Sequence, residues 1–132
     1  MSTPAVVDLE ARSYELDPYG HVNNAVYVNW LEHGRSAYLR ERGLSWISIP
    51  GKFGVRVVIV SLDIEFRAEV GLNDELRITT SIRKTGNSSF TFDQEIVFAD
   101  GRPVAGAEAV MVCTKDGAAT PIPDGLRERL ER

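Results

Sequence analysis

The sequence predicts an α+β domain in which one antiparallel sheet of about five strands wraps around one long central helix. A long, mostly apolar segment begins after Asn23 and Asn24 and continues to about Arg42, which is typical of a buried helix. The second half alternates apolar and polar residues in four segments separated by short turns, as strands do. The length of 132 residues suits one domain, so residues 1–132 are expected to fold as a single unit.

The helix and the strand before it can be placed from local patterns. Residues 7–11 alternate apolar and polar side chains, which predicts a half-buried strand. Asn23 or Asn24 is suited to cap the helix, because a side-chain amide oxygen can accept from the first free helical N–H groups. Gly43 supplies the stop at the other end. Since the first turns are apolar on nearly every side, we expect them to be buried on several sides.

Four strands are predicted after the helix, within residues 58–70, 76–82, 90–98 and 105–113. The first presents seven apolar residues on one face, and its length predicts that it bends. Short turns join successive strands, so neighbours in sequence are expected to pair antiparallel. Residues 116–132 are expected to form a tail, in which Asp124 caps a short helix on the surface.

Composition and charge exclude several functions. The net charge of −4 disfavours a general nucleic-acid-binding role, and the few lysines form no polybasic run for a membrane surface. Cys113 is the only cysteine, so no intrachain disulfide can form. His21 and His33 lack the spacing of metal ligands, which argues against a metal site. With no recognisable signal peptide or membrane span, the protein is expected in the cytoplasm.

Residues able to do chemistry are concentrated between Leu16 and Tyr27. This segment places the carboxylate of Asp17 and the imidazole of His21 in a loop that leads into the helix. The first N–H groups of a helix have no internal partner and carry partial positive charge, so they can polarise a carbonyl and stabilise an oxyanion. A carboxylate beside them can attack that carbonyl or deprotonate a water molecule. Alternatively, these side chains only satisfy a tight loop and a helix cap.

One motif of this segment resembles a known family. The pattern Asp17-x-x-Gly20-His21-Val22-Asn23-Asn24-x-x-Tyr27-x-x-Trp30-x-Glu32 is similar to the signature of the 4-hydroxybenzoyl-CoA thioesterase branch of the hotdog superfamily, which is related to plant acyl carrier protein thioesterases. Looser similarity covers nearly the whole chain. The predicted order of strand, helix and four strands is also the hotdog order.

The resemblance implies hydrolysis of a thioester of coenzyme A or of an acyl carrier protein, with the thioester as substrate and no cofactor. Asp17 aligns with the catalytic carboxylate, which activates water or attacks directly. The backbone N–H of Asn24 or a neighbour would hold the thioester carbonyl, with Asn23 and Tyr27 beside the substrate. His21 occupies the position of a histidine in the plant enzymes, where it either takes part or orients the loop.

The same resemblance implies contacts with coenzyme A and a defined assembly. In the family, the hairpin near Gly86 touches the pantetheine and phosphates of coenzyme A. This implies that role for Arg83, Lys84, Asn87 and Ser88, unless the segment is an ordinary hairpin turn. Hotdog proteins are built as dimers with the acyl site at the subunit boundary, so a homodimer assembled into a homotetramer is expected.

Two other functions stay open alongside hydrolysis. One is a hotdog hydratase or dehydratase that acts on an acyl thioester, and the other is a non-catalytic acyl-CoA-binding module. The position of Asp17 before the Gly-His-Val-Asn-Asn segment favours hydrolysis. Val70 stands where the plant enzymes have a catalytic cysteine, which argues against a cysteine mechanism. The adjacent Glu69 is interpreted as a solvated charge, and Trp30 as a core residue.

Overall fold

The computed structural model describes residues 2–132, in which one antiparallel sheet packs against a long helix. The elements are, in chain order, β1 (Ala5–Glu10), a 3₁₀ turn (Ser13–Glu15), α1 (Asn24–Glu41), α2 (Ser48–Phe53), β2 (Arg56–Phe66), β3 (Glu75–Thr85), β4 (Ser89–Phe98), β5 (Pro103–Lys115), β6 (Ala118–Ala119) and α3 (Asp124–Leu130). The strand order is β1-β3-β4-β5-β2, with β6 paired to β5. Helix α1 contacts β1, β3 and β4. The predicted α+β fold is confirmed.

Helix α1 is fixed at both ends by residues that the sequence indicated. The side-chain oxygen of Asn23 accepts a hydrogen bond from the N–H of Ala25 at 3.0 Å, so Asn23 is the cap. Gly43 follows the last turn with φ of 70°, a left-handed conformation that glycine adopts easily. The expectation that the first turns are buried on several sides is wrong for the single chain. Only one face meets the sheet, so Tyr27 is buried and Val28 is exposed.

The middle of α1 lies very close to the sheet. A Cβ atom on Gly34 would lie 2.8 Å from Thr80 Oγ1 and 2.9 Å from Gln94 Nε2, so a larger residue would push the helix outward. The buried Gln94 amide donates to the carbonyl of Leu31 and to Thr80 Oγ1, and it accepts from Arg35 Nη1. These bonds satisfy polar groups beneath the helix and fix its distance from the sheet.

Strand β2 differs from the prediction in length, pairing and exposure. It ends at Phe66 rather than near Val70, and it pairs with β5 at the edge of the sheet instead of with β3. Residues 67–74 cross over to β3, whose two neighbours are β1 and β4. Strand β2 has no strand on its other side. Several of its apolar side chains are also left uncovered, and Val60 is 60% exposed.

Helix α3 belongs to the core, which corrects the expectation of a surface tail. Leu126 and Leu130 are fully buried, because residues four apart lie on the same face of a helix. The hydroxyl of Tyr38 donates to the carbonyl of Leu130. Arg42 Nη2 donates to the carbonyls of Thr3 at 2.7 Å and Arg132 at 2.8 Å. These contacts tie both chain ends to the last turns of α1.

The buried side chains form two clusters at opposite ends of the sheet. The hairpin-end cluster surrounds Tyr38, Phe90 and Phe92 and includes the leucines of α3. The loop-end cluster surrounds Tyr27 and Trp30 and lies beside the loop that precedes α1. Within residues 2–132, no helix is both long enough and apolar enough to cross a membrane.

Candidate active site

The loop between β1 and α1 is a tight reversal. Leu16 and Val22 form an antiparallel bridge across its base. The N–H of Asp17 donates to the carbonyl of His21 at 2.7 Å, and Gly20 turns the chain with φ of 83°, where glycine is favoured. The N–H of Val22 also donates to the carbonyl of Val70 at 2.8 Å, so the loop is anchored to the segment between β2 and β3.

The carboxylate of Asp17 is held by one oxygen and left open at the other. Its Oδ1 accepts hydrogen bonds from the backbone N–H groups of Tyr19 at 2.9 Å and His21 at 3.2 Å. Among residues 2–132, no protein donor bonds to Oδ2. The side chain is therefore oriented by its own loop while one oxygen stays free to act on another molecule.

His21 lies against Glu69 rather than alone in solvent. Its Nε2 is 3.2 Å from Glu69 Oε2, although the Glu69 side chain is 75% exposed. The interpretation of Glu69 as a solvated charge is correct for its exposure but missed this contact. The two residues meet because the backbone of His21 bridges to Gly71, and no pattern within either segment indicates that pairing.

The start of α1 offers an unpaired donor beside this loop. Asn23 uses its side chain as the cap, and its own N–H donates to the carbonyl of Glu15 at 2.9 Å. In the described chain, the N–H of Asn24 has no backbone acceptor. That group lies at the positive end of the helix dipole, which favours an oxygen carrying negative charge.

These groups line one cleft of about 720 Å³, together with Tyr27 and Phe66. The ring of Tyr27 is packed edge to face between Trp30, with centroids 5.3 Å apart, and Phe66, at 5.2 Å. Burial raises the pKa of the Tyr27 hydroxyl above its usual value. The cleft thus combines an open carboxylate, an imidazole, a free helix N–H and an aromatic wall.

Behind the cleft lies a buried carboxylate that the sequence patterns do not indicate. The carboxylate of Glu15 accepts from the indole N–H of Trp30 at 2.9 Å. Trp30 is buried, as expected of a core residue, and it also makes this polar contact. The available signal was chemical, since a buried tryptophan usually finds an acceptor for its N–H. No local pattern identifies Glu15 as that acceptor.

The hairpin assigned to coenzyme A lies at the other end of the sheet in the same chain. The loop contacts the segment just before β3, whereas the hairpin follows the last residue of β3, Thr85. Eleven residues of strand span roughly 35 Å. Arg83 is engaged by Glu108 on the sheet, and the carbonyl of Asn87 accepts from Ile122. One chain therefore does not bring Arg83, Lys84, Asn87 or Ser88 to Asp17.

No group of three or more His, Cys, Asp or Glu side chains in residues 2–132 is arranged to hold a metal ion.

Comparison with known proteins places the chain in a family. Residues 11–130 match the family model described as the thioesterase-like superfamily. The long-chain acyl-CoA thioesterase FadM of Escherichia coli is 32% identical over 128 residues, which cover 94% of this chain and 95% of that protein. The acyl-acyl carrier protein thioesterase ATL3 of Arabidopsis thaliana is 30% identical over 126 residues, which cover 93% of this chain and 65% of that protein.

A solved structure agrees with the observed fold. A variant of 4-hydroxybenzoyl-CoA thioesterase in complex with 4-hydroxybenzoyl-CoA superimposes with a TM-score of 0.87 at 23% identity, covering 96% of this chain and 98% of that one. The family match begins just after β1 and extends over the loop that carries the cleft, the central helix, strands β2 to β6 and helix α3. This chain therefore belongs to the thioesterase-like superfamily and is a thioester hydrolase with the hotdog fold.

Proposed function

We propose that this enzyme hydrolyses acyl-CoA thioesters, with Asp17 as general base or nucleophile and the start of α1 as the oxyanion site. One observation carries the proposal: the same cleft is lined by Asp17, whose Oδ2 accepts no hydrogen bond from the described chain, and by Asn24, whose N–H has no backbone acceptor there. The names of the relative from Escherichia coli and of the solved structure support coenzyme A as the thiol.

In one route, Asp17 acts as a base. The thioester carbonyl oxygen accepts from the N–H of Asn24, while a water oxygen bonds to the carbonyl carbon and Asp17 Oδ2 takes the water proton. The tetrahedral intermediate then re-forms its carbonyl as the carbon–sulfur bond breaks. The thiolate leaves and the proton held on Asp17 is passed to it, which restores the carboxylate and gives a free acid and a thiol.

In the other route, Asp17 acts as a nucleophile. Its free oxygen attacks the thioester carbonyl, the carbon–sulfur bond breaks, and a mixed anhydride remains on the enzyme. Water then hydrolyses the anhydride and restores the carboxylate. Both routes use the same held side chain and the same helix N–H, so the geometry supports the reaction without choosing between them.

The other predicted residues receive supporting roles in this proposal. His21, with Glu69 at its Nε2, either returns a proton to the departing thiolate or orients the loop. Asn23 caps α1 and so holds the N–H of Asn24 in place. Tyr27 forms the cleft wall beside the substrate.

We also propose that the enzyme is a homodimer joined along β2, with homotetramers built from such dimers. Strand β2 is an edge strand with several uncovered apolar side chains, and such edges favour pairing with another chain. Antiparallel pairing of two copies about a twofold axis would place the Phe66 end of one β2 beside the Arg56 end of the other.

This pairing would bring the hairpin of a second copy to each cleft. Near Arg56, strand β5 is attached to the hairpin, because the N–H of Cys113 donates to the carbonyl of Ser88 at 2.9 Å. The hairpin, which lies far from Asp17 of its own chain, would then lie near Asp17 of the other chain. The residues assigned to coenzyme A in this way are Arg83, Lys84, Asn87 and Ser88.

A thiol-release assay tests the proposed reaction. The panel contains short, long and aromatic acyl-CoAs, followed by acyl carrier protein thioesters, with Asp17→Asn assayed beside the wild type. We expect release of thiol and free acid from at least one acyl-CoA, and a collapse of that turnover in Asp17→Asn. Turnover only with carrier-protein donors would move the substrate to that class, which the name of the Arabidopsis relative supports.

The alternatives give different products in the same assay. A hydratase or dehydratase would change the acyl chain, as seen by mass spectrometry, while the thioester stays intact. A binding module would retain acyl-CoA without turnover. Equal turnover in the wild type and Asp17→Asn would overturn the assigned role of Asp17.

A further inference from the structure

Glu15 is a buried carboxylate that the proposed mechanism does not use. The residue is 7% exposed, and both of its carboxylate oxygens accept hydrogen bonds. The backbone N–H of Arg12 donates to Oε1 at 2.8 Å, and the indole N–H of Trp30 donates to Oε2 at 2.9 Å. The Arg12 side chain lies 3.7 Å away as the opposite charge. Such complete bonding offsets the desolvation of a buried charge.

The same residue closes the base of the catalytic loop. Its backbone carbonyl accepts from the N–H of Asn23 at 2.9 Å, and the loop with Asp17 and His21 lies between these two residues. Its side chain reaches Trp30 on α1, whose ring packs against Tyr27 in the cleft wall. Glu15 therefore joins the loop, the helix cap and the cleft wall.

We infer that Glu15 is a positioning residue, which acts through Trp30 and Asn23 to hold the loop so that the free oxygen of Asp17 faces the helix start. This inference rests on the function proposed for Asp17. Loss of the anchor should lower kcat, since catalysis depends on the orientation of the reacting groups. It should leave KM nearly unchanged, because Glu15 is not part of the cleft lining.

Two substitutions target the hydrogen bond between Glu15 and Trp30, one at its acceptor and one at its donor. Glu15→Gln keeps the size of the side chain but replaces one acceptor oxygen by an NH₂ group, which must then face a donor. Trp30→Phe keeps an aromatic ring and removes the donor. The other tryptophan provides a matched control: the indole N–H of Trp46 donates to Ser36 Oγ at 3.1 Å, away from the cleft. Trp46→Phe removes a comparable bond.

Steady-state kinetics distinguish a loss of positioning from a nonspecific loss of activity. We expect kcat to fall at least about tenfold in Glu15→Gln and in Trp30→Phe, with KM within about twofold of the wild-type value. Trp46→Phe should retain the wild-type kcat. Because Trp30 is the only tryptophan left in Trp46→Phe, adding Glu15→Gln to that variant should also shift the emission of Trp30.

Amide hydrogen exchange tests the inference without using activity. The N–H groups of Asp17 and Val22 bond across the loop and to Val70, and they should exchange faster in Glu15→Gln than in Trp46→Phe. If the wild type hydrolysed no acyl thioester, the proposed function would fail and this measurement would still decide the inference. Unchanged exchange, or kcat values within twofold of the Trp46→Phe control, would overturn it. If Glu15→Gln does not fold, Trp30→Phe decides by the same criteria.

Discussion

The two ends of the sheet differ in whether their polar groups have hydrogen-bond partners within the chain. At the hairpin end, the carbonyls of Asn87 and Ser88 accept from the N–H groups of Ile122 and Cys113, each at 2.9 Å. At the loop end, Asp17 has one oxygen bonded and the other free. The hairpin end thus uses its polar groups to close the structure, whereas the loop end keeps some of them open.

This difference explains where stability and chemistry are located. The hairpin-end cluster contains the largest fully buried side chains, Tyr38, Phe90 and Phe92, and is covered by α3. The loop end leaves hydrogen-bonding capacity unused, and it is held by anchors such as Val70 and Glu15. A reactive group without a hydrogen-bond partner in the protein is typical of functional sites, where activity requires a group that the local structure leaves unbonded.

Among the substitutions that test this difference between the two ends, Asp17→Asn at the loop end should have the largest effect on activity. The amide is a poor base and a poor nucleophile, so kcat should fall by about 10²- to 10⁴-fold. The thermal unfolding temperature should stay near that of the wild type. Asp100→Asn is the control, because that carboxylate is exposed and paired with Arg102 in the β4–β5 turn. Wild-type turnover in Asp17→Asn would contradict the assignment.

At the hairpin end, Leu130→Ala should change stability and not chemistry. Truncation of a fully buried leucine should lower the free energy of unfolding by about 2–5 kcal/mol, measured by urea denaturation. Below the unfolding transition, kcat should stay near the wild-type value, since α3 lies outside the cleft. Leu72→Ala is the control at a half-exposed leucine. A large loss of kcat in Leu130→Ala under conditions where the variant is fully folded would contradict the separation of stability at the hairpin end from chemistry at the loop end.

Val60→Asp tests whether the hairpin end of one chain meets the loop end of a second chain in a dimer. A charge placed in the proposed β2 interface would be buried without a partner, which should destabilise the dimer by about 3–5 kcal/mol and yield monomers in light scattering. Turnover should fall with the monomer fraction, since each cleft would lose the second hairpin. Val6→Asp is the matched control on the other edge strand, β1, where Val6 is 48% exposed. Dimers that persist in Val60→Asp but not in Val6→Asp would relocate the interface to β1.

The smallest effect should come from Glu69→Gln. Exposed ion pairs contribute about 0–1 kcal/mol, so kcat/KM should fall by no more than about fivefold. Glu65→Gln, at a similarly exposed carboxylate near Arg67, should leave kcat/KM at the wild-type value. A loss comparable to that of Asp17→Asn would make Glu69 part of the reaction.

Much of the fold and part of the site could be predicted from local signals. The cap at Asn23 and the stop at Gly43 depend on groups within one helical turn. The strands after the helix follow from alternation, which acts over two residues. The positions of Asp17 and Asn24 in one cleft follow from a short loop that ends at the helix start, because few residues separate them.

The remaining features depend on residues far apart in the chain. Alternation indicated that β2 has an apolar face, but the sheet order decided that this strand lies at an edge. Spacing indicated that Leu126 and Leu130 share a face of α3, but contacts with distant residues, such as Tyr38, which is 92 residues from Leu130, make α3 part of the core.

The sequence by itself determined the class of fold, the ends of α1 and the loop that carries Asp17, since each depends on short-range geometry. Only the tertiary structure decided that Glu69 meets His21 and that Glu15 receives the indole N–H of Trp30. The physical reason is that a carboxylate can satisfy its hydrogen bonds with any donor that folding brings near. The choice of donor is made by packing rather than by neighbours in the chain.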